Sequence, residues 1–440
     1  MASRRDIDSS DESHVSTGLS NMIQDTNDLA ALLDDQENQD FVAQSTAGET
    51  SKQKLHRLLS VRTTISSAFS FAIFQHSQRK EQVGFRKIGF GQCGLLFERP
   101  GRGYVVKVAR PHFHDSLWSD FVAHFHVYKA FEQHSDLECR VPTVYSYVNK
   151  DNNQWWDEHR PLFTEQHDSF PLPSMALITE RILPLPKVVR EALIAQYLPP
   201  ALQPAAVANP SNRECLARLY LGKRRRPGAP PAPNFTLRNF NLCLDQMLDL
   251  ELPVADYAAA MGEALAVIHW QANVDAYDVE FVLGSEAGTE YTQDIATILA
   301  LTPEMVTSMR PHTDLDALVS ANFRRRTTRI WVLDFNLCNR WEEQMGWEQP
   351  DALVDHLVMS FFENDPYYPL PLKDYSRERN LWEAFSDSYL HKAGEILEGD
   401  GKDARLAVLP GMFARACVER EQTKLDQGFG HGHRDNKDEV

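Results

Sequence analysis

The sequence has no C-x-x-C pair, no long apolar run and no surplus of positive charge. Its six cysteines, Cys93, Cys139, Cys215, Cys243, Cys338 and Cys417, are scattered, which argues against a disulfide framework or a zinc ribbon and reads as reduced thiols. The pairs His112/His114 and His124/His126 have no cysteine or acidic partners at ligand spacing, so no structural zinc is expected. The longest mainly apolar stretch, Ile65 to Phe74, is broken by serines and too short to span a bilayer. Met1 to Asp8 lacks the apolar centre of a secretory leader. The expectation is a soluble, non-secreted chain with no membrane partner, cytoplasmic unless a basic run directs it to the nucleus. Lys and Arg total 45 against 62 Asp and Glu, a net −17, which argues against general nucleic-acid binding. The dense basic cluster Lys223-Arg224-Arg225-Arg226 reads first as a solvated loop, and alternatively as an import signal or an anionic-partner patch.

With 440 residues the chain has room for a two-lobed domain of roughly 250 to 300 residues plus tails. Residues 1–52 are rich in Ser, Asp, Asn, Gln and Thr and read as a disordered tail. Leu58, Leu59, Ile65, Phe69 and Ile73 predict a helix from Leu55 to about Phe74, so residues 53–186 hold that helix and a small nucleotide-binding lobe. Prolines and the basic cluster mark 187–250 as an insertion with a loop at its centre. Residues 251–425 form the large lobe, with a second insertion at 284–329, and 426–440 form a polar tail. Within the large lobe, helical spacing predicts helices over Val254–His269, Asp351–Phe362 and Leu381–Leu397. No internal repeat is visible.

The most informative segment is Gly89-Phe90-Gly91-Gln92-Cys93-Gly94, followed by Lys107 inside Tyr104-Val105-Val106-Lys107-Val108-Ala109. A G-x-G-x-x-G alone is weak, because dinucleotide folds use it, but there the third glycine opens a helix. Here Leu95-Leu96-Phe97, the turn formers Pro100-Gly101-Arg102-Gly103 and a β-branched run predict strand, turn, strand. A glycine hairpin with a lysine on the next strand is the nucleotide-gripping device of the protein-kinase-like fold. A helix over Leu117–Phe131, a strand over Val141–Val148 and a strand over Met175–Ile182 follow in the order its small lobe requires. The last strand leads into the hinge, where the backbone around Glu180 would meet an adenine.

Phosphoryl transfer needs a carboxylate to orient the acceptor, oxygen ligands for magnesium, and cations or amides on the phosphates. Asp275 stands where the catalytic-loop aspartate would be, and Glu280, five residues on, where a metal-binding asparagine would be. Asp334, at the end of the apolar run Ile330-Trp331-Val332-Leu333, resembles the magnesium-binding aspartate of D-F-G. Lys107 and the amides of Gly89, Gly91 and Gly94 would hold the phosphates. The acid that partners Lys107 stays open between Asp120 and Glu132. Each residue also has a plainer reading: an exposed lysine, a turn cluster of glycines, a solvated acidic loop, a turn-capping aspartate.

These residues together resemble the protein-kinase-like superfamily, nearer its aminoglycoside and small-molecule phosphotransferase branch than ordinary protein kinases. Through Ile268-His269-Trp270, Asp278 to Gly284, Val332 to Asn336 and Asn364 to Pro369, the chain is also similar to a fungal family that carries the label zinc finger protein. The likeness covers roughly residues 85 to 395. It implies an α+β, two-lobed protein-kinase-like fold: a small lobe of antiparallel sheet plus helix, and a larger, mainly helical lobe. It implies ATP and Mg2+ as cofactors and a hydroxyl acceptor on a small molecule or a protein. Departures accompany the matches: Asn273-Val274 replace His-Arg, Glu280 replaces asparagine and Asn336 replaces glycine. An added carboxylate repels a triphosphate unless a metal intervenes, so strict metal dependence is expected. Two functions stay open, a phosphotransferase and a catalytically degenerate scaffold or regulator. A zinc-dependent DNA-binding regulator ranks third, for want of ligand clusters and a basic face.

Overall fold

The computed structural model describes residues 48–60, 64–66, 84–163, 170–225, 235–291, 319–364, 366–372, 376–399 and 401–428, with isolated positions between 300 and 305. The expected N-terminal tail lies outside them up to residue 47, as do residues 429–440 of the C-terminal one. The described residues form a mixed α+β structure with two sheets. In chain order its main elements are α1 (Ser51–Leu59), β1 (Thr64–Ser66), β2 (Arg86–Phe90), β3 (Gly94–Glu98), β4 (Tyr104–Ala109), α2 (His114–Phe131), β5 (Cys139–Arg140), β6 (Val144–Val148), β7 (Ala176–Glu180) and α3 (Lys187–Tyr197). They continue with β8 (Ala217–Tyr220), β9 (Phe240–Cys243), α4 (Val254–Ala266), β10 (Glu280–Tyr291), β11 (Val319–Leu333), α5 (Pro350–Glu363), α6 (Ser376–Leu397) and α7 (Leu409–Asp426). Among the described residues no helix is long and apolar enough to cross a membrane.

The first sheet runs β2-β3-β4-β7-β6, and every neighbouring pair is antiparallel. Strand alternation splits β4 between two environments. Tyr104, Val106 and Val108 enter a core with Phe85, Phe97, Trp155, Trp156 and Phe163. Lys107, in the alternate register, is thereby directed to the opposite face, the side on which its Nζ reaches α2. The helix and strands expected here all form, with ends shifted by a few residues.

The second sheet runs β1-β11-β10-β8-β9, with β5 added to β11 in parallel. Of these six strands only β10 and β11 come from residues 251–425, where they lie among the helices α4 to α7, and the other four come from earlier in the chain. The stretch read as an insertion at 187–250 supplies α3, β8 and β9, and the central residues 226–234 of its basic and proline-rich loop lie outside the described set. The described strand residues of the second expected insertion, 284–329, continue the hairpin, because Gly284 to Tyr291 pair with residues of β11 from Val319 to Arg329. Residues 292–299 and 306–318 within it are not described.

The helix expected over Leu55–Phe74 is also corrected. It stops at Leu59, where Ser60 turns extended (φ −61°, ψ 128°), and Thr64–Ser66 pair with β11 instead, while residues 61–63 and 67–74 of the expected helix lie outside the described set. Tertiary partners hold this end. Tyr257 donates to the Leu59 carbonyl at 2.9 Å and Thr328 to the Leu58 carbonyl at 2.9 Å, satisfying acceptors a helix C-terminus leaves open. The start is held by a capping box between Thr50 and Gln53. Helix α4 packs closely on α6: a Cβ on Gly262 would lie 2.2 Å from the Phe385 carbonyl oxygen, so only glycine permits that approach. After Ala266 the helix continues as a π-helical turn, Val267–Gln271, which delivers the chain into the loop of Asn273 to Asp278.

Candidate functional site

Lys107 joins the two sheets. Its Nζ lies 2.6 Å from Asp120 Oδ2 on α2 and 3.2 Å from Asp334 Oδ1, just past the end of β11. The Asp120 side chain is 4% exposed, so this pair is nearly dry. Burial works against the lysine's charge, but the carboxylates of Asp120 and then Asp334 outweigh it and hold its pKa well above the usual value. Of the two acids left open for Lys107, the fold selects Asp120.

The same helix turn positions the Asp-Phe pair. Four residues after Asp120, His124 lies against Phe335, ring centroids 4.9 Å apart, and its Nε2 donates to the Pro142 carbonyl at 2.8 Å. Burial lowers the His124 pKa to about 4, leaving the imidazole neutral. Asp334 adopts φ +65°, a left-handed conformation costing a non-glycine residue about 1–3 kcal/mol, which surrounding contacts must impose. Phe335 is fully buried and Asp334 about one-third exposed, so the ring anchors the dipeptide while the carboxylate opens outward.

The glycine loop closes tightly over this point. The Gly91 amide donates to the Gly94 carbonyl at 2.8 Å, and Phe90 pairs with Leu95 across the turn. A Cβ on Gly94 would sit 2.7 Å from the Val108 carbonyl oxygen and 3.3 Å from Lys107 Cγ. The loop and the lysine are therefore in contact, and Gly94 is glycine because β4 leaves no room. Gly89 lies within β2 against Leu96. Phe90, at the tip, is 67% exposed.

Glu180 is not brought to Lys107. It ends β7 opposite Tyr104, while Lys107 pairs with Leu177, a separation of about 10 Å along the strand. Its Oε2 accepts from the Thr143 amide at 3.1 Å and hydroxyl at 3.0 Å, tying β6 to β7. Burial raises its pKa to about 7, against those two hydrogen bonds. Beyond it the chain crosses to the second sheet, where Leu183 and Ser285 exchange backbone hydrogen bonds.

Asp275 is 1% exposed and both its oxygens are occupied. Oδ1 accepts from the amides of Tyr277 (3.0 Å) and Asn339 (2.9 Å), and Oδ2 from Asn339 Nδ2 (3.1 Å) and His356 Nε2 (2.9 Å). These bonds lock the loop to the segment after Asp334, as do Asp275 N to Asn339 O and Trp341 N to Asn273 O, both 3.0 Å. Three loop residues, Asn273, Ala276 and Asp278, are left-handed (φ +55°, +55° and +63°). Asp278 is the exposed carboxylate of the loop, its amide bonded to Asn364 at the cap of α5.

Glu280 opens β10 directly opposite Leu333, adjacent to Asp334. It forms a close ion pair with Arg218 of β8. Burial raises its pKa to about 7; Arg218 opposes the rise, and the fields of Asp334 and Asp278 add to it. Three carboxylates thus crowd one end of the second sheet. Alongside them, Ile182, Val282 and Trp331, flanked by Leu216 and Leu333, form an apolar cluster between the segment after β7 and the second sheet.

The fold brings together Lys107, Gly94, Asp334 and Glu280, sets Asp275 behind the loop and leaves Glu180 apart. Sequence reasoning missed Arg218, Asn339 and His356 as partners of the expected acids. No local signal marks them, since Arg218 is 62 residues from Glu280 and His356 is 81 from Asp275. Asp278 was legible only as part of an acidic loop.

A family model described as zinc finger protein matches residues 330–401, from the end of β11 through Asp334 to α6. That window holds one cysteine, Cys338, and two histidines, His356 and His391. Among the described residues no group of three or more His, Cys, Asp or Glu is arranged to hold a metal ion. No curated protein and no solved structure matches the chain.

Proposed function

We propose that this chain has a two-lobed, protein-kinase-like fold and binds ATP with a divalent cation between its two sheets. The observation that carries the reading is Lys107, whose ammonium sits between a buried helix carboxylate, Asp120, and the left-handed, outward-opening Asp334. The antiparallel order β2-β3-β4-β7-β6, with α2 between β4 and β6 and the glycine turn touching Lys107, supports it. Leu216 and Leu333, half-buried against the cluster of Ile182, Val282 and Trp331, offer apolar surface that suits the face of a base, since flat heteroaromatic rings bind largely apolar surfaces.

In this reading Lys107 contacts the phosphates and Asp120 keeps its charge in place. Asp334 fits a cation ligand: Lys107 engages Oδ1, and among the described residues Oδ2 has no hydrogen-bond partner. A bound divalent ion would neutralise phosphate charge, leaving the protein to position the reacting groups. The acceptor hydroxyl is oriented by Asp278, exposed beside Glu280 and Asp334, while Asp275 holds the loop in shape. The second reading, a binding module without transfer, is favoured by one observation: the carboxylate in the catalytic-loop register, Asp275, is buried and saturated by four donors.

Thermal-shift titration with ATP, alone and with Mg2+ or Mn2+, tests the binding reading, because a ligand of the native state raises the melting temperature by mass action. A metal-dependent rise that disappears in Lys107→Ala is expected; no rise at millimolar nucleotide would sink it. Nucleotide turnover by the same protein separates transferase from binding module.

A further inference from the structure

We infer that the site takes a single divalent cation, anchored on Asp334, and that the Arg218 guanidinium supplies at Glu280 the charge a second cation would bring. The inference rests on the nucleotide-binding reading above. It turns on how differently the two expected metal ligands are held.

Glu280 and Arg218 sit on neighbouring strands of one sheet, with Arg218 directly opposite Val282, two residues along β10 from Glu280. Their side chains are each 18% exposed and joined from Arg218 Nη2 to Glu280 Oε1. A cation reaching Glu280 must displace or share a guanidinium that has little water to return to, and a half-buried charge stripped of its partner is costly. Asp334 is under no such constraint. Its partner Lys107 is held more closely by Asp120, at 2.6 Å against 3.2 Å. Asp334 can therefore turn to a metal without stranding the lysine.

The pairing also changes what Glu280 presents to a metal. Glu280 with Arg218 is then a neutral unit standing where a neutral ligand would otherwise be. The substitution of glutamate at this position is tolerable because a residue from β8 compensates it.

Mn2+ titration followed by electron paramagnetic resonance, on the full chain saturated with adenylyl imidodiphosphate, reads the number of bound ions directly. One Mn2+ per chain is expected. Glu280→Gln should keep that ion with its dissociation constant within about threefold, whereas Asp334→Asn should weaken it at least about tenfold. Arg218→Gln, which keeps a donor for Glu280 but removes the charge, should admit a second Mn2+. The double variant Arg218→Gln/Glu280→Gln, which removes both charges together, should return to one. Two ions in the unaltered chain, tenfold weakening by Glu280→Gln, or a single ion in Arg218→Gln would overturn the inference while leaving nucleotide binding intact. A chain that gives no thermal shift with nucleotide removes the underlying reading as well.

Discussion

Lys107 on β4 and Asp120 on α2 meet at 2.6 Å across the boundary between the first sheet and its helix. The contact fixes the helix face, because His124, one turn further along α2, then falls against Phe335 and sets the backbone at Asp334. A salt bridge, a ring contact and a strained aspartate are thus one mechanical unit.

Breaking that unit from one side should be expensive. Asp120→Ala leaves a covered ammonium with only Asp334, and should cost about 3–5 kcal/mol of unfolding free energy. The double variant Lys107→Met/Asp120→Leu removes both charges and should fall far closer to the parent, while binding no nucleotide. Urea unfolding of the three proteins measures the difference. Equal losses in the single and double variants would show that the pair contributes packing and not charge.

The glycine loop offers a contrast between neighbours. Gly94→Ala forces a Cβ to within 2.7 Å of a backbone oxygen and should destabilise the chain by about 1–3 kcal/mol, because β4 must move. Gly91→Ala meets nothing nearer than 4.0 Å and should stay within about 0.5–1 kcal/mol of the parent. Melting temperatures rank the two.

Asp275 and Asp278 should separate stability from chemistry. Asp275→Asn replaces an accepting oxygen with an NH2 donor that faces the donors of Asn339 and His356, leaving buried groups unsatisfied at about 1–3 kcal/mol each. Asp278→Asn keeps a side chain that tolerates the left-handed backbone, so its stability should be close to the parent's. If the chain transfers phosphate, Asp278→Asn should lower turnover by roughly 100-fold or more. The opposite pattern, a stable Asp275→Asn without turnover and a fully active Asp278→Asn, would return the catalytic role to Asp275.

Glu180 gives the fold a pH dependence of definite sign. Its pKa rises from 4.5 to about 7 on folding, mainly through burial, so the folded chain holds this proton more tightly than the unfolded one. Its contribution is therefore complete below about pH 4.5 and is lost as pH climbs through 7, by roughly 3 kcal/mol. Glu180→Gln cannot lose that proton. The stability of the variant relative to the parent should rise between pH 4.5 and 8, and a difference that stays flat with pH would show that Glu180 is ionised in the native state.

Much of the first sheet was legible because its signals are local. The run Tyr104 to Ala109 could be read as a strand from β-branched residues, and the turn at Gly91 to Gly94 from its glycines, since each rests on neighbours within a few positions. The continuation of the first helix past Leu59 into Thr64–Ser66 was misread for the same reason. The helix's apolar spacing is real up to Leu59, but Tyr257 and Thr328 cap its last carbonyls from more than 190 residues away. No window along the chain contains that information.

The candidate site divides in the same way. The sequence alone determined that a glycine turn precedes a strand lysine, that an acidic loop follows an amphipathic helix, and that Asp334 ends an apolar strand, because short-range periodicity and turn chemistry settle such patterns. Only the tertiary structure decided that Asp120 and not Glu132 meets Lys107, that Asp275 is sealed by Asn339 and His356, and that Arg218 neutralises Glu280. Those outcomes depend on which charges burial deprives of water, and desolvation arises only when distant segments close over the same point.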